Sequence, residues 1–196
     1  MIVPTRGRRS LAATLDSVAE QLEPGDEVLV LCTRDEDFGN AARQSLLERA
    51  AGTHLVFIDD DDQLARGALA SMRRVAEEHP QRVAIFRMRY LDGRVLWSDP
   101  ILRERNVSSQ MLLVPNVPDK LGRWENPDYT RMADWSFIAE TVELQGEPLF
   151  REEIVAHIRS DRRPLPRFLK QLGSPLATAR YRLAPRTRLH RALSRS

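Results

Sequence analysis

Residues 57–62 read Phe-Ile-Asp-Asp-Asp-Asp. The four carboxylates follow a run, His54 to Ile58, that is apolar enough for a buried strand. Like charges at this spacing repel, and partial burial raises the cost. A divalent cation relieves it. On an extended segment Asp59 and Asp61 project to the same side. One or two carboxylates together with substrate phosphates are a usual way to hold Mg²⁺ or Mn²⁺. Such an ion neutralises a diphosphate leaving group. The plainer alternative is a solvated acidic loop in which Asp62 caps the helix that follows.

Two further groups could do chemistry. Val3-Pro4-Thr5-Arg6-Gly7-Arg8 runs from a short strand into a hydroxyl, a guanidinium and a flexible backbone. Arg6 or Arg8 can meet a phosphate there; a basic turn ahead of a helix is the alternative. Asp134 opens a helical pattern, where a carboxylate is favourably placed, and Trp135 beside it offers an apolar face. A core aromatic alongside Phe137, Ile138 and Val142 is the other reading of Trp135.

These residues need elements to position them. Ile2-Val3 begins a strand. Ser10 can cap a helix in which Leu11, Leu15, Val18, Ala19 and Leu22 recur at helical spacing. Val28 to Cys32 is a continuous apolar run, suited to a strand covered on both faces. Helices are expected from about Asn40 to Ala51 and from Gly67 to His79, with strands at His54–Ile58 and Val83–Tyr90. Asp92-Gly93 reads as a hairpin turn leading to Val95. Later come a strand at Gln110–Val114, a helix at Asp134–Gln145 and a strand at Ile154–Ile158. The alternation predicts an α/β fold: an open, mostly parallel, Rossmann-like sheet with helices on both faces. Right-handed crossovers bring the strand C-terminal ends to one edge, where ligands of such sheets bind. Thr5–Arg9, Thr33–Asn40 and Asp59–Asp62 fall on that edge.

Composition sets bounds. With 196 residues, 42% hydrophobic and 30% charged, the chain is an ordinary globular size and mixture. The net charge of +2 hides a split. Residues 159–196 carry eleven Lys or Arg and a single acid, Asp161, whereas 1–158 carry 19 basic and 27 acidic residues. One cysteine, Cys32, excludes an intrachain disulfide and a Cys-based zinc site. No signal peptide is visible, and no run approaches the roughly 18 apolar residues of a membrane span. A cytoplasmic location is expected.

Taken together, Val3-Pro4-Thr5-Arg6-Gly7-Arg8, then Phe38-Gly39-Asn40-Ala41-Ala42-Arg43, then Ala51-Gly52 through Phe57-Ile58-Asp59-Asp60-Asp61-Asp62 resemble family 2 glycosyltransferases of the GT-A fold. Met132-Ala133-Asp134-Trp135 is similar to that family's "Glu-Asp-(Trp/Tyr)" helix start. The resemblance covers about residues 1–160. It implies inverting transfer of a sugar from a nucleotide-sugar, with a UDP-sugar as the expected donor and Mn²⁺ or Mg²⁺ as the metal.

Carried over by position, Asp61 is the main metal ligand of a DxD motif and Asp59 approaches ribose or metal. Pro4, Thr5, Arg6 and Asp60 line the nucleotide pocket. Arg43 fixes the donor side, and Asp134 is the general base. His157 sits where some GT-A enzymes bring a His to the metal; a structural His on a strand is the alternative. Two departures stand out. The family's Asp-Asp-Gly-Ser turn is replaced by Leu31-Cys32-Thr33-Arg34-Asp35, so Asp35 or Asp37 would take the base-binding place. Ala133 replaces the first acid of the family's pair.

The implied organisation is a GT-A domain over 1–160, with a nucleotide-sugar-binding half (1–98) and an acceptor half (99–160), then a basic Pro/Arg-rich tail (161–196). The acceptor hydroxyl is unspecified: glycan, lipid-linked glycan, protein or other. The tail suits peripheral contact with an anionic membrane. Nucleic acid is a weaker partner for it, and docking on the acidic body, or plain solvation, is the alternative. A non-catalytic nucleotide-sugar or partner-binding module of the same fold is the competing function. Aspartyl-phosphate phosphatases fit poorly, because the acidic cluster lies on the third strand. No Gly-x-Gly-x-x-Gly follows a strand, which disfavours a dinucleotide-binding dehydrogenase.

Overall fold

The structure is a computed structural model; it describes residues 1–33, 37–124 and 133–158, and the backbone of 178–182. β1 (Ile2–Thr5) and β2 (Glu27–Cys32) pair in parallel, with Ile2 opposite Leu29 and Thr5 opposite Cys32. β3 (His54–Val56) lies on the other side of β1. Ile2 forms a parallel bridge with Phe57, and the Ile58 N–H donates to the Ile2 carbonyl at 3.1 Å. All four β1 residues are buried. That is the reason the apolar runs here are continuous rather than alternating.

Beyond β3 the sheet changes character. β7 (Leu112–Pro115) runs antiparallel between β3 and β5 (Ala84–Tyr90). β8 (Leu149–Ile158) is parallel to β5, and β4 (Gln63–Leu64) is antiparallel to β8. β6 (Val95–Leu96) folds back on β5 through the expected turn, where the Gly93 N–H donates to the Tyr90 carbonyl at 3.0 Å. Parallel pairs, β1–β2 and β5–β8, thus alternate with antiparallel ones, and the sheet as a whole is mixed. β9 (Thr178–Arg182) adds an antiparallel strand to the free edge of β2.

Among the described residues, four α-helices complete the α/β architecture: α1 (Leu11–Ala19), α2 (Asn40–Leu47), α3 (Ala68–Glu78) and α4 (Ala133–Gln145). Their positions match expectation, with differences at the ends. Ser10 precedes α1, yet its hydroxyl makes no capping bond. It is already in helical conformation, with φ −61° and ψ −25°, which turns its side chain away from the free amides. Gly39 (φ 82°) opens α2, and a Cβ there would stand 3.0 Å from Pro4 Cβ. A glycine therefore lets the start of α2 close onto the end of β1.

The core is continuous across both halves. At its centre Trp124 stacks on Phe137 with centroids 4.6 Å apart, and Phe57 meets both rings. Phe57, just past the end of β3, is thereby packed against α4, and this contact joins the two halves next to the acidic loop.

Candidate active site

The four aspartates do not continue β3. The Asp62 N–H donates to the Asp59 carbonyl at 3.1 Å, so the chain turns tightly. The extended geometry that would pair only Asp59 with Asp61 is replaced. Ligand oxygens of Asp59, Asp61 and Asp62 lie within 4.8 Å of one another. Asp62 is therefore a member of the cluster and not the cap of the next helix. That helix, α3, starts only at Ala68, behind β4 and with Gly67 at its N-cap.

The acidic loop is held from several elements at once. Asp60 is buried and points to the end of β1: its Oδ2 accepts from the Thr5 hydroxyl at 2.6 Å and from the Arg6 N–H at 3.1 Å. Thr5 Oγ1 in turn accepts from the Gly7 N–H at 2.8 Å. Arg8 pairs with Asp61 and lies 3.3 Å from Asp60. Arg43, only 4% exposed, reaches from α2 to Asp59. A second guanidinium N–H of Arg43 donates to the Phe38 carbonyl at 2.9 Å, and its centre lies 4.8 Å from the Trp124 ring centroid. The Thr14 hydroxyl of α1 donates to the Asp62 carbonyl at 2.6 Å.

Sequence reasoning missed the link to Asp134. Residues 108–110, Ser-Ser-Gln, lead into β7 through a short 3-10 turn. The Gln110 amide donates to Asp59 at 2.8 Å and to Asp62 at 3.2 Å. Its carbonyl oxygen accepts from the Ser108 hydroxyl at 2.6 Å. Asp134 Oδ2 accepts from the Ser108 hydroxyl at 2.8 Å, the Ser109 N–H at 3.2 Å and the Ser109 hydroxyl at 3.0 Å. One tripeptide thus bridges the acidic cluster and the carboxylate at the start of α4. The only signal for it in the sequence was its polarity ahead of a strand.

The remaining expected residues fall as follows. Pro4 is buried against the α2 start. His157 lies on β8 opposite Gln63, one position beyond Asp62, and is not one of the three grouped carboxylates. Asp37 accepts from the Gly39 and Ala41 N–H groups at 2.9 and 2.6 Å, which fastens the loop before α2. Asp35 lies outside the described residues. Phe38 is 63% exposed at this edge, in the left-handed region at φ 62°.

The electrostatics match the crowding. Burial pushes the Asp61 carboxyl up to about 6; Arg8 opposes the shift, while Asp59 and Asp60 add to it. Asp59 is raised by burial as well, against the pull of Arg43. For Arg43 burial works against the charge, but Asp59 and Asp134 outweigh it and the guanidinium is held more firmly protonated. An unfolded Asp61 titrates near 3.8. Between about 4 and 6 the folded protein keeps a proton that the unfolded chain has lost, so this group destabilises progressively as pH rises through that window. Metal-free Asp61→Asn should therefore gain thermal stability on wild type from about pH 4 to about pH 6. Parallel melting curves with a constant offset would contradict this.

One family model matches the sequence, and solved structures share the fold. The model of glycosyl transferase family 2 matches residues 32–159. Among solved structures, S. aureus TarS superposes with a TM-score of 0.65 at 16% identity, covering 81% of this chain and 36% of that one. TarS 1–349 in complex with UDP-GlcNAc gives 0.57 at 17% identity, covering 80% and 56%. The same fragment in complex with UDP gives 0.59 at 17% identity, covering 80% and 58%. The chain thus spans little more than a third of the length of the full TarS chain. No curated protein matches the sequence significantly.

Proposed function

Since this chain belongs to glycosyl transferase family 2, we propose that it moves a sugar from a UDP-sugar to an acceptor hydroxyl with inversion, using Asp134 as general base. The single observation that carries this reading is the Ser108–Gln110 bridge, which sets Asp134 beside the Asp59–Asp62 cluster. The UDP-GlcNAc and UDP complexes of TarS support the choice of donor.

An inverting displacement needs a base on one side and charge neutralisation on the other. Among the described residues, the three bonds to Asp134 converge on Oδ2. Oδ1 is then the oxygen that takes the acceptor proton as the hydroxyl attacks the anomeric carbon. The bond to the diphosphate breaks and its electron pair leaves with the nucleotide. Arg6 and Arg8, at the end of β1, stand where cationic groups can meet a diphosphate. Arg43 keeps Asp59 in place.

The acidic cluster fits a divalent cation. Three carboxylates group within 4.8 Å, and Asp61 stays hard to ionise even with Arg8 on it. Asp59, Asp61 and Asp62 would hold Mn²⁺ or Mg²⁺, which when bound supplies positive charge to the leaving diphosphate. Among the described residues no helix is long and apolar enough to cross a membrane. A cytoplasmic site of action is part of the proposal.

Thermal shift with UDP and Mn²⁺ tests the donor side. At a ligand concentration about a hundredfold above Kd, the midpoint should rise by about 5–10 °C. Asp61→Asn should lose the Mn²⁺-dependent part of that rise. A rise with UDP that is indifferent to Mn²⁺ would remove the metal from the reading. No response to any nucleoside diphosphate would overturn it.

A further inference from the structure

Ser108 has one hydroxyl proton and two acceptors within reach of it. Gln110 Oε1 lies at 2.6 Å and Asp134 Oδ2 at 2.8 Å. The proton serves one of them at a time, and the shorter contact is the one to Gln110. The other end of the Gln110 amide is committed as well. Its two N–H groups reach Asp59 Oδ2 at 2.8 Å and Asp62 Oδ2 at 3.2 Å. Gln110 is buried, so a bond left unmade there is costly.

Asp59 has a donor on each oxygen, Arg43 on Oδ1 and Gln110 on Oδ2. Arg43 is pinned by Asp59, the Phe38 carbonyl and the Trp124 ring, and it stays in place. The Gln110 amide is neutral, and its terminal torsion is broad and roughly two-fold. It is therefore the part of the site that can turn. Turning it over exchanges its ends: the carbonyl oxygen faces the carboxylates and the NH₂ faces Ser108. A carbonyl oxygen against two carboxylates is repulsive by itself. A divalent cation reverses this, because it takes oxygen ligands and repels N–H hydrogens. With an N–H donated to Ser108 Oγ, the hydroxyl proton goes to Asp134.

Resting on the reading of Asp134 as base and of the cluster as a cation site, we propose that Gln110 is a positioning residue that links the two. One orientation of its amide bonds Asp59 and Asp62 and draws the Ser108 proton away from Asp134. The reversed orientation accompanies a cation and commits that proton to Asp134 Oδ2, beside the two donors of Ser109. The base is then fully held only when the donor side is loaded. The amide is a two-state element that both sites bias, which is what communication between them requires.

Amide NMR on the isotope-labelled 196-residue chain, titrated with Mg²⁺ alone, tests this. Mg²⁺ should shift the backbone amides of Asp59–Asp62. With the same midpoint it should shift the Gln110 side-chain NH₂ pair and the Ser109 backbone amide, which donates to Asp134. The NH₂ pair is identified by its loss in Gln110→Met, which keeps the side chain's length. In that variant the Asp59–Asp62 amides should still respond, and the Ser109 amide should lose its response. Ser108→Ala cuts the relay at its other end: the Gln110 NH₂ pair should respond and Ser109 should not. Ser108 is partly exposed, so this variant serves even if Gln110→Met fails to fold. A Ser109 amide that follows Mg²⁺ in either variant as it does in wild type would overturn the proposal. So would a Ser109 amide that stays still in wild type while Asp59–Asp62 move; the cation site itself stands in that case. If Mg²⁺ leaves Asp59–Asp62 unmoved, the cation site fails and the link falls with it.

Discussion

Asp134→Asn is expected to lower kcat by about 10³-fold, a magnitude within the range for a positioned general base. Thermal stabilisation by UDP with Mn²⁺ should remain at the wild-type level. The substitution keeps size and shape. The Asn carbonyl oxygen can occupy the place of Oδ2 and still accept from the Ser108 hydroxyl, the Ser109 N–H and the Ser109 hydroxyl. What it loses is the ability to take a proton. Loss of turnover with donor binding intact would separate base chemistry from site assembly. Ser109→Ala should act in the same direction but more weakly, because it frees the carboxylate to move without removing it. Unchanged kcat in Asp134→Asn would place the base elsewhere. A parallel loss of nucleotide-dependent stabilisation would mean that Asp134 organises the donor side.

The contrast between Asp134 and its tether shows how far the sequence could be read. Asp134 was legible because a carboxylate at the start of a helical pattern has a local reason to be there. Ser108, Ser109 and Gln110 have none. Their contacts exist only once β7 has inserted between β3 and β5 and carried them to the cluster, a pairing of β7 with β3 over more than fifty residues that no local pattern encodes. The parallel β1–β2–β3 unit was legible for the opposite reason. Strands buried on both faces write continuous apolar runs, and Val28–Leu31 is such a run. The aspartate cluster lies between these cases. Its acidity was plain, but alternation was the wrong geometry for it. The turn from Asp59 to Asp62 decides which carboxylates meet, and it draws Asp62 into the group. Two-residue β4 and the backbone pairing of β9 depend on the strands beside them and left no readable period.

Arg43→Ala should cost about 3 kcal/mol of folding stability, read as a lower urea midpoint at unchanged slope. As one residue in a helical pattern, Arg43 looks like an ordinary surface arginine; in the fold it is almost completely buried. It is held on three sides, by Asp59, by the Phe38 carbonyl and by the face of Trp124. Removing it leaves Asp59 without its cation in a place where burial already works against the charge. It also opens space beside Trp124, at the aromatic cluster joining β3 to α4. Arg43→Lys should recover only part of the loss, because a single ammonium cannot bond two partners in one plane and stack on an indole. Arg43→Met/Asp59→Asn removes both charges and keeps volume, so it should return most of the stability. The same double variant should still fail in nucleotide- and Mn²⁺-dependent stabilisation, since Asp59 is lost from the cluster. Stability would then be recovered without function, assigning the Arg43–Asp59 pair to the site rather than to the fold. If the double variant is no more stable than Arg43→Ala, the stabilisation comes from the arginine's packing on Trp124 instead of from its charge.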